Sequence, residues 1–255
     1  MVVIKVDYDE KREKYMPSMF AQTALNALFP PQCMACNALV KSHGTVCQEC
    51  FGQLHFITDP MCDHCGFPFE YDLGDDALCG ECIDVLPPYD SAYSAIVFDD
   101  TSKVLLHKLK FEDQIHLARI FADWLLSHMP QVDADMVIPV PLSRKRLFSR
   151  RYNQSALVAK QLAKRLEIPY QPTMLRRIRH TTPQTGLTRL QRADNVHGAF
   201  AVSHLAGEHL AGKNVLLLDD VMTTGATIEA CTDTIKKAGA ESVHVVTLAR
   251  VVHTQ

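Results

Sequence analysis

The chain reads as an α/β protein, a mostly parallel sheet flanked by helices, preceded by a small Cys-rich module. Three observations carry that reading. Eight of the nine cysteines fall into four Cys-x-x-Cys pairs confined to residues 33–82. From about Ser91 the pattern changes to short apolar runs alternating with helical stretches, the mark of βα units on a parallel sheet. Charge divides at the same place: residues 1–90 hold 5 Lys/Arg against 14 Asp/Glu, and residues 91–255 hold 21 against 15. The acidic and basic parts are expected to meet different partners.

A length of 255 residues with 47% hydrophobic content accommodates one ordinary domain plus a small module. Near the start, "MFAQTALNALF" predicts a short amphipathic helix ended by Pro30 and Pro31. It lacks a small-residue cleavage site, and no apolar run approaches the roughly 18 residues that span a bilayer. The expectation is a cytoplasmic protein without membrane insertion, its thiols reduced.

The cysteine pairs are Cys33/Cys36, Cys47/Cys50, Cys62/Cys65 and Cys79/Cys82. Two residues between thiolates let one tight turn present both sulfurs to a single ion, and two such pairs complete a tetrahedral site. The chemistry points to structural Zn²⁺, two ions in all, in a zinc ribbon module. Consecutive ribbons and a cross-braced pairing both fit the spacing, and consecutive ribbons close the shorter loops. Few large apolar residues accompany the cysteines, so the metal is expected to supply most of the module's folding free energy. Gly66 and Gly80 suit knuckle turns of positive φ. His43 and His64 read as surface residues rather than ligands.

In the second part the predicted strands are "AYSAIVF", "DMVIPVP", "NVLLLDD" and "SVHVVTLA". Between them "SKVLLHKLKF", "HLARIFADWLLSHM" and "NQSALVAKQLAKRL" predict helices, the last with Ala156, Val158, Ala159, Leu162 and Leu166 near the 3.6 period. A linker is expected in "DVLPPYD", residues 84–90. "LHKLKFED" reads as an amphipathic surface helix. A last helix carries Ile228, Cys231 and Ile235 as its apolar stripe and closes at Gly239, which makes Cys231 a packing residue.

The most informative stretch is "VLLLDDVMTTGAT", residues 215–227. A buried strand delivers Asp219 and Asp220 to its carboxyl end, where ligands of open α/β sheets bind. Thr223, Thr224, Gly225, Ala226 and Thr227 then turn into a helix. Free N–H groups, the positive dipole end and three hydroxyls make a phosphate cradle there. Two acids beside a phosphate cradle suit a sugar phosphate, the acids accepting hydrogen bonds from vicinal hydroxyls. The Walker spacing and its Lys are missing, which excludes a P-loop.

This stretch resembles the 5-phosphoribosyl 1-pyrophosphate (PRPP) signature of type I phosphoribosyltransferases. "VIPVPLSRKRLFSRRYNQSALVAKQLA", residues 137–163, and "RRIRHTTPQTGLTRLQRADNVHGAF", residues 176–200, look like the corresponding segments of the ComF/GntX-type family, associated with competence and DNA utilisation. The resemblance implies a type I phosphoribosyltransferase-like fold over residues 89–255, a double zinc ribbon over 29–88 and an N-terminal extension over 1–28. It further implies that Asp219 and Asp220 hold the ribose hydroxyls and stabilise an oxocarbenium-like sugar, and that Thr223 to Thr227 hold the 5′-phosphate. Pro141, Leu142, Ser143 and Arg144 would form a pyrophosphate loop, with Mg²⁺ bridging the diphosphate to the sugar. Arg146, Arg151, Asn153, Gln154, Arg179, Gln184 and Arg192 are further basic or flexible-loop candidates.

Ten cations, among them Arg144, Lys145, Arg146, Arg150, Arg151, Arg176 and Arg177, flank this stretch in two runs. They suit a polyphosphate or a nucleic-acid backbone, and Tyr152 offers a ring for base stacking. Two readings stay open. One is a PRPP-dependent phosphoribosyltransferase, its acceptor unspecified, serving DNA uptake or nucleotide metabolism. The other is a non-catalytic single-stranded DNA-binding or adaptor protein, whose partners would include an uptake helicase or recombination-mediator proteins.

Overall fold

The computed structural model describes residues 26–112, 114–179, 196, 198–203 and 207–252. Of the expected N-terminal helix only the last turn, residues 26–28, lies among them, and it is helical. By contacts the chain divides into two units, Met1–Cys47 and Gln48–Gln255.

Two short helices, α1 (Gln48–Gly52) and α2 (Gly80–Asp84), precede the first strand, β1 (Ser91–Val97). Then come α3 (Asp100–Phe111), α4 (Leu117–His128), β2 (Met136–Pro139), α5 (Arg144–Arg150) and α6 (Gln154–Leu166). A small antiparallel pair, β3 (Leu175–Arg177) and β4 (Phe200–Val202), leads through α7 (Gly207–Leu210) to β5 (Asn214–Met222). The described chain closes with α8 (Ala226–Lys237) and β6 (Ser242–Arg250). The main sheet has the order β1-β6-β5-β2, with every pairing parallel.

Both faces of this sheet are covered, which is why its strands read as continuous apolar runs rather than alternating ones. Ile138, Leu217 and Val245 face α8, whose stripe of Ile228, Cys231 and Ile235 is buried against them. Val137, Leu216, Leu218 and Val246, offset by one residue and equally buried, point to the opposite face by strand alternation. There α6 packs on β2 and β5, and α4 packs on α6. Cys231 is fully buried, as its helical spacing predicts.

The four expected strands and three expected helices all form. The basic run after Pro141, to which no element was assigned, folds as α5, and the Ser143 side chain caps it by accepting from the Arg146 N–H. The β3–β4 pair is a second addition that periodicity did not signal. Gly80 also differs, since it opens α2 and takes no positive φ.

The two Cys-x-x-Cys knuckles that open each ribbon share one backbone geometry. In the first, the Asn37 N–H donates to the Cys33 carbonyl and the Cys33 N–H to that of Ala38. In the second, Gly66 and Cys62 repeat the pattern with Cys62 and Phe67 as acceptors. The residue after the second cysteine is left-handed in both, Asn37 at φ 65° and Gly66 at φ 67°. Gly66 has a further reason to be glycine: a Cβ there would lie 2.5 Å from the Ala92 carbonyl oxygen on β1.

Candidate functional site

The carboxyl ends of the parallel strands open onto a cleft of about 500 Å³. Strand β5 carries Asp219 and Asp220 to its floor, and Gly225 at φ 78° makes the turn that starts α8. A Cβ on Gly225 would meet only the tip of the flexible Glu229 side chain, at 3.0 Å, so it is the left-handed φ that calls for glycine in this turn. Thr223, Ala226 and Thr227 line the same cleft, at the positive end of the α8 dipole. Thr224 is placed differently, lining a small neighbouring cavity instead.

The acids are held in distinct ways. One Asp219 carboxylate oxygen accepts from the Ser155 hydroxyl at 3.1 Å and from the Asp220 N–H at 2.8 Å. Burial, then the adjacent Asp220 charge, push the Asp219 carboxyl up to about 7, against the opposing pull of those hydrogen bonds and of Lys110. Asp220 is ion-paired with Lys110 at 2.9 Å.

Lys110 is therefore a cleft residue, which the reading of its helix as a surface element missed. Helix α3 starts at a reciprocal capping box between Asp99 and Ser102 and places Lys110 in its last turn, where the dipole favours a cation. Arg146 and Arg150 reach the cleft from α5, and Arg177 from β3. Burial lowers the pKa of both Arg150 and Arg177 from the ordinary guanidinium value, yet a guanidinium keeps its proton in proteins. The Arg177 guanidinium also lies over the Phe200 ring at 5.3 Å, which ties β3 to β4. Arg177 turns inward with Leu175 while Arg176 turns outward, but three residues are too few for periodicity to give a signal. Periodicity offered none for Lys110.

The remaining expected residues take several places. Pro141 and Leu142 line the cleft, Ser143 caps α5, and Arg144 is the first residue of that helix. Arg151, at φ 64°, forms the left-handed cap that ends α5 and is exposed. Asn153 caps α6 and donates through Nδ2 to the Val140 carbonyl, fixing α6 to the end of β2. Gln154 is fully buried and accepts from Arg150 at 3.4 Å. Arg179 is exposed, with its N–H directed to the Ala199 carbonyl. Gln184 and Arg192 lie outside the described residues. Tyr152 spends its hydroxyl on the Leu109 carbonyl, so it joins α3 to the α5–α6 connection.

The cysteines gather into two four-residue clusters: Cys33, Cys36, Cys47 and Cys50, and Cys62, Cys65, Cys79 and Cys82. The ribbons are consecutive, not cross-braced. Within each cluster all sulfurs lie within 4.8 Å of one another, with Cys36 to Cys47 at 3.7 Å and Cys65 to Cys79 at 3.6 Å. A tetrahedral zinc thiolate site, with bonds of about 2.3 Å, needs sulfurs roughly 3.8 Å apart. Backbone N–H groups of Cys47 and Cys79 face the Cys33 and Cys62 sulfurs at 3.2 and 3.3 Å, as thiolates require. The donor set fits structural Zn²⁺. Neither His43, bonded to Asn26, nor His64, stacked on Tyr89, takes part, although His64 is a packing residue rather than a surface one.

A parallel sheet with this cleft, joined to two such clusters, defines a phosphoribosyltransferase-type domain with a double zinc ribbon. Both parts have sequence counterparts: the double zinc ribbon domain family matches residues 24–83, and the phosphoribosyl transferase domain family matches residues 153–255. The chain belongs to the competence protein F family. It is 30% identical to the competence protein F of Haemophilus influenzae over 229 residues, 86% of this chain and 96% of that relative. A DNA utilization protein, YhgH of Salmonella typhi, is 28% identical over 87% of this chain and 97% of its own. Among solved structures, a B. subtilis glutamine PRPP amidotransferase complexed with ADP and GMP aligns with 56% of this chain and 30% of its own, at 22% identity and a TM-score of 0.38. No helix among the described residues is long and apolar enough to cross a membrane.

Proposed function

We propose that the cleft binds PRPP, or a related ribose 5-phosphate ligand, together with Mg²⁺. The observation that carries this reading is one cleft holding the Asp219–Asp220 pair beside the turn that opens α8, with Lys110, Arg146, Arg150 and Arg177 on its walls. Four cations against two carboxylates favour a polyanion, while the acids select one that also bears hydroxyl groups. Ribose hydroxyls would donate to Asp219 and Asp220, and the 5′-phosphate would accept from the turn at Thr223 and from the first amides of α8. The diphosphate would extend toward Pro141–Arg144 and the α5 arginines. Asp219 and Asp220 offer the hard oxygen donors that Mg²⁺ prefers, and the ion when bound offsets diphosphate charge.

In a phosphoribosyl transfer the bond from C1 to the diphosphate oxygen breaks, its electron pair leaving with the diphosphate. An acceptor's lone pair forms the new bond. The two carboxylates would stabilise the oxocarbenium-like charge on the sugar. The competence and DNA-utilization names of the relatives favour DNA uptake or utilisation as the setting, and nucleotide metabolism is compatible with the same ligand. Uptake helicases or recombination mediators would be partners in that setting.

A second reading rests on Phe148, which is 92% exposed on α5 beside Lys145 and between Arg146 and Arg150. An exposed ring on a basic helix suits stacking of single-stranded DNA bases, with or without turnover in the cleft.

The deciding experiment is calorimetric titration of zinc-loaded protein with PRPP and Mg²⁺, alongside the Asp219→Asn/Asp220→Asn double variant. Micromolar binding that the variant loses is the expected result. Absence of heat at several temperatures, with cooperative melting intact, would refute the PRPP reading and leave single-stranded DNA as the ligand to test.

A further inference from the structure

The second four-cysteine cluster is part of the wall behind the phosphate-binding turn. Its four cysteines are buried in the same apolar cluster as Met222, Ala226 and Ile228. Cys65 and Cys82 line a cavity of about 20 Å³ together with Thr223, Thr224 and Gly225. The side chain that joins the two is Arg250, the last residue of β6, only 6% exposed. Strand register sets Arg250 beside Met222, and the Val251 N–H donates to the Met222 carbonyl at 2.9 Å. The Arg250 guanidinium donates to the Cys65 carbonyl at 2.6 Å, to the Cys65 sulfur at 3.5 Å and to the Met222 sulfur at 3.0 Å. It also lies over the Phe67 ring at 5.3 Å.

Charge explains why an arginine is tolerated there. Four thiolates around a dication leave a net double negative charge in a buried place, and a buried guanidinium needs such a counterion. The knuckle itself cannot drift from the sheet, because the Ala92 N–H on β1 donates to the His64 carbonyl at 2.8 Å and Gly66 abuts Ala92. Arg250 is thus fixed by the zinc thiolates on one side, and fixes the residue that opens the turn on the other.

We propose that Arg250 is a positioning residue through which zinc at Cys62, Cys65, Cys79 and Cys82 holds the Thr223–Thr227 turn in its anion-binding form. Zinc occupancy of that site and anion binding at the turn are coupled free energies. By linkage each strengthens the other equally. The proposal rests on the phosphate reading of the turn, and its test separates the two.

The test is hydrogen exchange by mass spectrometry on the full, zinc-loaded chain, comparing wild type with Arg250→Met. Peptides covering residues 222–228 are expected to exchange at least tenfold faster in the variant, with residues 136–139 and 215–218 unchanged and two zinc ions retained. Arg250→Lys, which keeps the charge without the fork, should restore part of the protection. Unchanged exchange at 222–228 overturns the proposal. Should Arg250→Met not melt cooperatively, Met222→Leu replaces it in the comparison: faster exchange at 222–228 supports the proposal and unchanged exchange overturns it. On Cys36→Ser, which keeps only the zinc at Cys62, Cys65, Cys79 and Cys82, saturating PRPP with Mg²⁺ should raise at least threefold the chelator concentration that removes that ion. Ligand binding seen by calorimetry without that shift overturns the coupling. Absence of ligand binding defeats the phosphate reading instead, and leaves the exchange comparison to decide the role of Arg250.

Discussion

The ammonium group of Lys110 lies 2.9 Å from a carboxylate oxygen of Asp220, joining the last turn of α3 to the end of β5. Each side chain is 18% exposed, so the pair is screened less than a surface ion pair but more than a buried one. A bound polyanion would draw Lys110 toward itself and free Asp220 for hydroxyls or metal. Replacing Lys110 with Met is expected to weaken PRPP–Mg²⁺ binding by about tenfold, on the order of 1.4 kcal/mol. The salt dependence of Kd should become shallower by one charge. Calorimetry at two ionic strengths measures both effects.

The raised pKa of Asp219 makes two pH dependences. Its ordinary value is 3.8 and its folded value about 7, so the folded state holds a proton that the unfolded chain has already lost. Stability from this group is therefore highest below the unfolded value and falls as pH rises from about 4 to about 7. Binding of a ligand that needs the anion moves the opposite way, gaining affinity up to and slightly beyond pH 7. Melting curves between pH 5 and 8 should slope downward in wild type and flatten in Asp219→Asn.

Ser155 provides a finer check on the same acid. Its hydroxyl donates to the Asp219 carboxylate, which favours the ionised form. Ser155→Ala should move the pH midpoint of ligand binding upward, to the extent of a fraction of a pH unit to about one. A midpoint that moves downward would show that the hydroxyl acts on the protonated acid instead.

Loss of zinc ligands should differ between the two clusters. Cys65 is buried in the core shared with α8, whereas Cys36 is exposed. Cys65→Ser is expected to destabilise the Gln48–Gln255 unit by roughly 4 kcal/mol or more, the scale of losing a structural metal. Cys36→Ser should remove one zinc ion and leave the cooperative melting of that unit nearly unchanged. Zinc analysis with calorimetric melting of both variants distinguishes them.

Gly66 and Gly44 form a matched pair for backbone strain, both left-handed, at φ 67° and 72°. Only Gly66 has a neighbour in the way, the Ala92 carbonyl oxygen. Gly44→Ala should cost about 1 kcal/mol from conformation alone. Gly66→Ala must add displacement of the knuckle from β1, and should cost at least twice as much by denaturant unfolding.

The amino-acid sequence by itself determined the elements whose physics is local. Apolar runs specified the four main strands, the 3.6 period specified α3, α4, α6 and α8, and the Cys-x-x-Cys spacing specified metal ligands before any contact was known. The motif at Asp219 to Thr227 was legible because a strand end, a glycine turn and a helix start must follow one another along the chain. Tertiary structure decided what depends on distant residues meeting. The β3 and β4 strands pair across more than twenty residues of polar, charged sequence that shows no alternation to mark them. Lys110 looked like any exposed helical lysine until the fold set its ammonium group against Asp220. Arg250 looked like a strand end until its guanidinium met Cys65, 185 residues earlier in the chain. Hydrophobic periodicity reports which face of an element is buried, but not which charged group stands opposite it. That is set only when the sheet brings its strand ends together.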